Sequence, residues 1–152
     1  MPQIPVTTRI ATDRPLVKVD NSAVANPAAA QGFSITVPVG YRFTPVSLFM
    51  RMVTDANVAV RYVTLELISS SGVMFRYSTP FGQSESETRY ISFAPGAAQV
   101  LWSIAVFTSI VPLPLGVTLQ EGDAIVISVL NMQAGDQISL INSQILSQFV
   151  AE

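Results

Sequence analysis

Short runs in which apolar and polar residues alternate recur along this chain, separated by Pro, Gly, Asn and Ser clusters. Alternation with period two places one set of side chains on each face of a strand, and its recurrence every 8–12 residues or so marks an all-β domain. Phe33, Ile35 and Val37 share a face in the first clear run, which ends in a Pro-Val-Gly turn at 38–40. Over Val46–Val53, Val46, Leu48, Met50 and Met52 oppose Ser47 and Arg51. Over Val58–Ser69, Val63, Leu65 and Leu67 oppose Thr64 and Glu66, while Arg61 breaks the inward series and suggests a bulge or a strand leaving the core. Val73–Thr79, Thr88–Ala94 and Val100–Phe107 repeat the pattern, with Trp102 on the face read as core.

Near the C-terminal end the pattern contains an echo. Gln120-Glu121-Gly122-Asp123-Ala124-Ile125 returns as Gln133-Ala134-Gly135-Asp136-Gln137-Ile138. Gly supplies the positive φ of a tight turn and Asp binds backbone amides just downstream, so each Gly-Asp pair launches a strand. Strands are expected over Gly116–Gln120 and Ala124–Leu130. The prolines of the preceding PLPLG (112–116) exclude ladder pairing there, which makes that stretch a loop. The tail over Gln137–Val150 fits two patterns: a strand by its Ser/Ile alternation, or a helix stripe through Ile141, Ile145 and Phe149. β-Branching and Ser content favour the strand. Together these runs give an antiparallel β-sandwich of eight or nine strands, most simply a jelly roll.

Residues 1–31 differ. Pro2, Pro5, Pro15 and Pro27 remove donors, and AVANPAAA (23–30) has no strand or helix period, although Thr7–Ile10 and Leu16–Val19 are each able to form a short edge strand. Ile4, Val6, Ile10, Leu16 and Val19 make this segment too apolar for a solvated linker. It reads as an extended arm, 1–31, that orders on a neighbouring subunit, in front of a sandwich domain over 32–152.

Composition narrows the function. Only 12% of the 152 residues are charged and 49% are hydrophobic, with a net charge of −2. Such a chain has no field for nucleic acid or an anionic membrane, and its outside suits burial against partners. The apolar run 99–119 is interrupted by Pro112, Pro114 and Gly116 and alternates like a strand, which argues against a membrane span. Cys and His are both absent, so the commonest metal ligand, the commonest general base and any thiol nucleophile are missing. Paired carboxylates at Glu85/Glu87 and Glu121/Asp123 read as loop and turn residues, and Asp55, Asn57, Glu121, Asp123 and Asp136 match no dense calcium loop. No cofactor or metal is expected, and the chain does not read as an enzyme. Tyr41 and Tyr90 are the aromatic residues best placed for contact with a glycan.

The motifs VPVGYRF (37–43), RYVTLELIS (61–69), FAPGA (93–97), PLPLG (112–116), LQEGDAI (119–125) and MQAGDQIS (132–139) resemble the jelly-roll capsid decoration, or cement, proteins of tailed bacteriophages. The similarity covers 33–141 and lies in turns and strands. It implies a structural protein on the virion surface, often a homotrimer, that ties copies of the major capsid protein together, with no catalytic residues. On that implication the partner contacts are the arm residues Ile4, Val6, Ile10, Leu16 and Val19, and the polar loop with Phe81, Glu85 and Glu87. The competing expectation is a glycan- or receptor-binding module of a phage fibre or baseplate, using Tyr41 and Tyr90.

Overall fold

The alternating runs do become strands. The computed structural model describes residues 17–20, 28–98, 100–103 and 108–150, with side chains for 28–98 and 108–150. Among these, ten strands occur: β1 (Val17–Asp20), β2 (Phe33–Thr36), β3 (Tyr41–Val53), β4 (Tyr62–Ser69), β5 (Gly72–Ser78), β6 (Thr88–Pro95), β7 (Val100–Ser103), β8 (Thr108–Leu113), β9 (Ala124–Leu130) and β10 (Gln137–Phe149). They form a six-stranded sheet in the order β1-β10-β3-β6-β8-β7 and a four-stranded sheet in the order β2-β9-β4-β5.

With β7 and β8 set aside, four strands remain in each sheet, and the chain crosses between sheets at every step except the β4–β5 hairpin. That is the double Greek key of a jelly roll. The inward residues meet in one core, in which Leu48, Met50, Met52, Leu65, Leu67, Phe93, Ile125, Ile127, Ile138 and Ile145 are all fully buried. Period two thus converts directly into two packed faces.

The structure corrects several expectations. β8 occupies part of the stretch expected to be a loop and pairs in parallel with β6, Ala94 opposite Pro112. Pro112 is tolerated because β7 pairs only as far as Ile110, leaving no ladder on its second side to be broken. Gly116–Gln120 forms no strand; only Leu119 pairs, exchanging both backbone bonds with Phe43 at 3.0 and 2.7 Å. The 137–150 segment is a strand, with a register shift between Leu140 and Asn142. The extra residue, Ile141, is pushed outward, so Ile138 before it and Ser143, Ile145 and Ser147 after it all face the core.

Within residues 1–31, Val17–Asp20 joins the sheet as edge strand β1, with Val19 opposite Leu146. Ile4, Val6, Ile10, Leu16 and the expected strand over Thr7–Ile10 lie outside the described residues, as do the side chain of Trp102 and residues 104–107.

Candidate functional site

At one end of the sandwich four described loop segments meet, 28–32, 54–61, 79–87 and 131–136, the first tied in by the Ala30 amide donating to the Asp136 carbonyl at 2.9 Å, and the centre of this end is Arg61. This residue neither bulges nor leaves the core; it is 1% exposed. Its Nε donates to Asp136 Oδ2 at 2.9 Å, and Nη2 to Asp136 Oδ1 at 3.1 Å and to Asp55 Oδ1 at 2.6 Å. Nη1 donates to the carbonyl of Ala59. A buried guanidinium is tolerable only when paired in this way, and Arg is the cation whose planar fork makes two-point contact with a carboxylate.

Both carboxylates are saturated. Asp136 also accepts from the amides of Asp55 and Gln133. Asp55 also accepts from the Asn57 amide and side chain and from the Gly135 amide. These bonds fill the roughly four acceptor positions that a carboxylate offers, so neither group has an oxygen left for a cation. Burial raises the Asp55 pKa, but the hydrogen bonds from Asn57 and Gly135 and the Arg61 charge outweigh it and hold the group below its ordinary value. The bond to Asp136 holds Arg61 above its own ordinary value, against the effect of burial.

The two halves of the sequence echo use one turn for two purposes. Asp123 accepts from the amide of Gln120, and Asp136 from that of Gln133, each at 2.7 Å and each three residues upstream rather than downstream. Gly122 has φ +80°, as a turn glycine should, but Gly135 does not adopt a positive φ. Gly135 is small for another reason: a Cβ there would sit 2.8 Å from Asp55 Cβ. Only the second copy of the turn is drafted into the Arg61 cluster.

The 79–87 loop is tied to the same frame. Arg61 and Gln83 exchange backbone bonds at 2.9 and 2.8 Å, and the Thr54 hydroxyl donates to the carbonyl of Ser84 at 2.6 Å. Glu87 faces inward, accepting from the Ser84 amide and from Arg89, whose pKa burial lowers and Glu87 partly restores. Glu85 is exposed, and Phe81 is 42% exposed. Val60 packs over Gly82 beside Phe81, and Asn131, next to Leu130, donates to the Val60 carbonyl. Val58 at 88% and Leu130 at 60% complete a set of exposed apolar side chains held on a rigid frame.

Tyr41 and Tyr90 are not brought together. Tyr41 opens β3, whereas Tyr90 pairs with Arg51 near its end, so roughly 30 Å of strand separates them. Tyr90 stacks on Phe49 on the outer face of the six-stranded sheet, ring centroids 5.9 Å apart. Tyr41 lies at the end opposite Phe81, edge-on to Phe149 at 5.5 Å. Of the expected contact residues, then, Phe81, Glu85 and Glu87 share a loop, whereas the two tyrosines occupy separate places. The Arg61 cluster was missed because its members are spread over positions 55, 61 and 136; the only signal was an Arg in an otherwise apolar inward series.

No family model matches the chain, and no curated protein matches it. Among solved structures it is similar to a chain of infectious bursal disease virus, Gx strain, at 16% identity over 98% of this chain and 38% of that one, with a TM-score of 0.35. The corresponding chain of the Gt strain gives 14% identity, 98% and 36% coverage, and a TM-score of 0.32. The protein therefore spans a little over a third of the viral chains it aligns with.

Proposed function

We propose that this protein is a structural virion protein, a capsid decoration subunit that stabilises a phage head by non-covalent bridging of the major capsid protein. The observation that carries the reading is the loop end, where Arg61, Asp55 and Asp136 lock three loops beneath exposed Val58, Val60, Phe81 and Leu130. A preorganised apolar patch on a charge-poor body loses little entropy on docking. Contacts repeated over a shell need only modest affinity each, because they add in effect. In this reading the subunits are homotrimers on the capsid surface, and Ile4, Val6, Ile10 and Leu16 extend the contact from the N-terminal segment. Because Val17–Asp20 is an edge strand, the arm that can be removed without cutting a sheet ends at Leu16.

Nothing in the site asks for chemistry on a substrate. Asp55, Glu66, Glu87, Glu121, Asp123 and Asp136 each serve a bond within the fold, which supports a non-enzymatic role. The test is binding to undecorated shells assembled from the major capsid protein of the same genome. Val60→Asp and a chain starting at Val17 should each weaken binding about tenfold or more, roughly 1.4 kcal/mol, while circular dichroism stays unchanged. Full binding by both variants would sink the assignment of these contacts.

A further inference from the structure

The end of the sandwich opposite Phe81 carries a cleft of about 160 Å³ lined by Gly40, Tyr41, Arg42, Gln120, Glu121 and Val150. Two of its recognition groups, Glu121 and Tyr41, are held in place by the fold. Glu121 Oε2 accepts from the Gly40 amide at 2.9 Å, which anchors the carboxylate at the rim. The Tyr41 ring is braced edge-on by Phe149, which itself packs against Gly40, and Tyr41 remains 39% exposed. Val150 closes the wall through its amide bond to the Gly40 carbonyl at 2.8 Å. Among the described residues, neither the Arg42 guanidinium nor the Gln120 side-chain amide has a partner.

We infer that this cleft is a carbohydrate-binding subsite for one uncharged pyranose unit of a glycan. An aromatic ring offers its face to the C–H side of a sugar. A carboxylate accepts from hydroxyls, a guanidinium donates to them, and a carboxamide does both, so the set suits a ring bearing adjacent hydroxyls. The site holds one positive and one negative group, which selects against a strongly charged ligand. Backbone and aromatic bracing limit the reorganisation needed on binding. The inference goes beyond capsid decoration and is independent of the patch of Val58, Val60, Phe81 and Leu130, since that patch and the cleft occupy opposite ends of the sandwich. Tyr90, on the sheet face, takes no part.

The test is saturation-transfer difference NMR on the full chain with methyl glucoside, methyl galactoside, methyl mannoside and N-acetylglucosamine, each at about 5 mM, a concentration suited to the millimolar range of weak ligands. The expected result is transfer to the ring protons of at least one sugar. Tyr41→Ala should abolish that signal and Glu121→Gln should weaken it at least threefold, with Tyr90→Ala, whose ring lies elsewhere, leaving it intact. No transfer to any of the four, or a signal equal in wild type and Tyr41→Ala, overturns the inference. Transfer seen only in a chain starting at Val17 overturns it too, because the N-terminal segment would then be the occupant of the cleft. Shell binding measured on the same Tyr41→Ala protein should be unchanged, so the two proposals fail separately.

Discussion

Arg61 and Asp136 face each other with both side chains wholly out of solvent, joined at two points, Nε to Oδ2 at 2.9 Å and Nη2 to Oδ1 at 3.1 Å. Seventy-five positions apart in sequence, they join the entry to β4 with the entry to β10, one in each sheet. The pair therefore acts across the sandwich rather than within a sheet, and it fixes the end on which Val60 and Phe81 are displayed.

Removing one partner should cost far more than a surface change. Arg61→Met leaves two carboxylates facing a cavity without their cation, and breaking a buried pair typically costs about 3–5 kcal/mol. Chemical denaturation should show the urea midpoint falling accordingly. A loss under about 1 kcal/mol would mean that the cluster contributes little net stability.

The repeated turn gives an internal control. Asp123→Asn removes a carboxylate that holds one amide, so a loss of about 1–2 kcal/mol is expected. Asp136→Asn disturbs the same turn bond and also leaves Arg61 underpaired, and should be clearly the worse of the two by thermal melting. Equal losses would show that the turn, rather than the ion cluster, is what Asp136 supports.

Gly135→Ala tests close approach rather than backbone freedom. Its Cβ would stand 2.8 Å from Asp55 Cβ, a contact that must force Asp55 away from the Asp136 loop. The expected signature is a lower melting temperature together with faster hydrogen exchange at the amides of Asp55 and Asn57. Unchanged exchange there would contradict the role assigned to this glycine.

Acid should act through Asp55. Its folded pKa lies below the ordinary 3.8, so between the two values the unfolded chain binds more protons than the folded one. The stabilisation it provides is complete above about pH 4 and is lost as pH falls further through the folded value. Asp55→Asn should be less stable at neutral pH and should lose less on acidification. An identical acid slope in both proteins would remove Asp55 from the account.

Much of this architecture was legible. The alternations of Val63, Leu65 and Leu67, of Ile91 and Phe93, and of Ile125 and Ile127 each became a strand with those residues buried, because period two is local and needs no knowledge of neighbours. The two Gly-Asp pairs marked the starts of β9 and β10 correctly. What failed depended on distant partners. Arg61 looked like a disruption because its carboxylates lie elsewhere in sequence. Pro112 looked like a ladder breaker because nothing local says that one side of β8 is unpaired at that position. Ile141 seemed to share a face with Ser143 and Ile145, whereas it is itself the inserted residue at which the alternation reverses. The polar sequence of the 79–87 loop was enough to expect Phe81 and Glu85 at the surface, where both lie, whereas the meeting of Tyr41 with Glu121, 81 positions from Gly40 to its anchoring carboxylate, exists only once the sheet is folded.

Docking of this chain on a viral shell, as proposed above, is tested most directly by co-sedimentation of the purified protein with undecorated shells of the same genome across a concentration series. Saturable binding with a fixed number of copies per shell, and a raised melting temperature of the decorated shell, is the predicted result. No co-sedimentation at any concentration, or binding that rises linearly without a plateau, would contradict it.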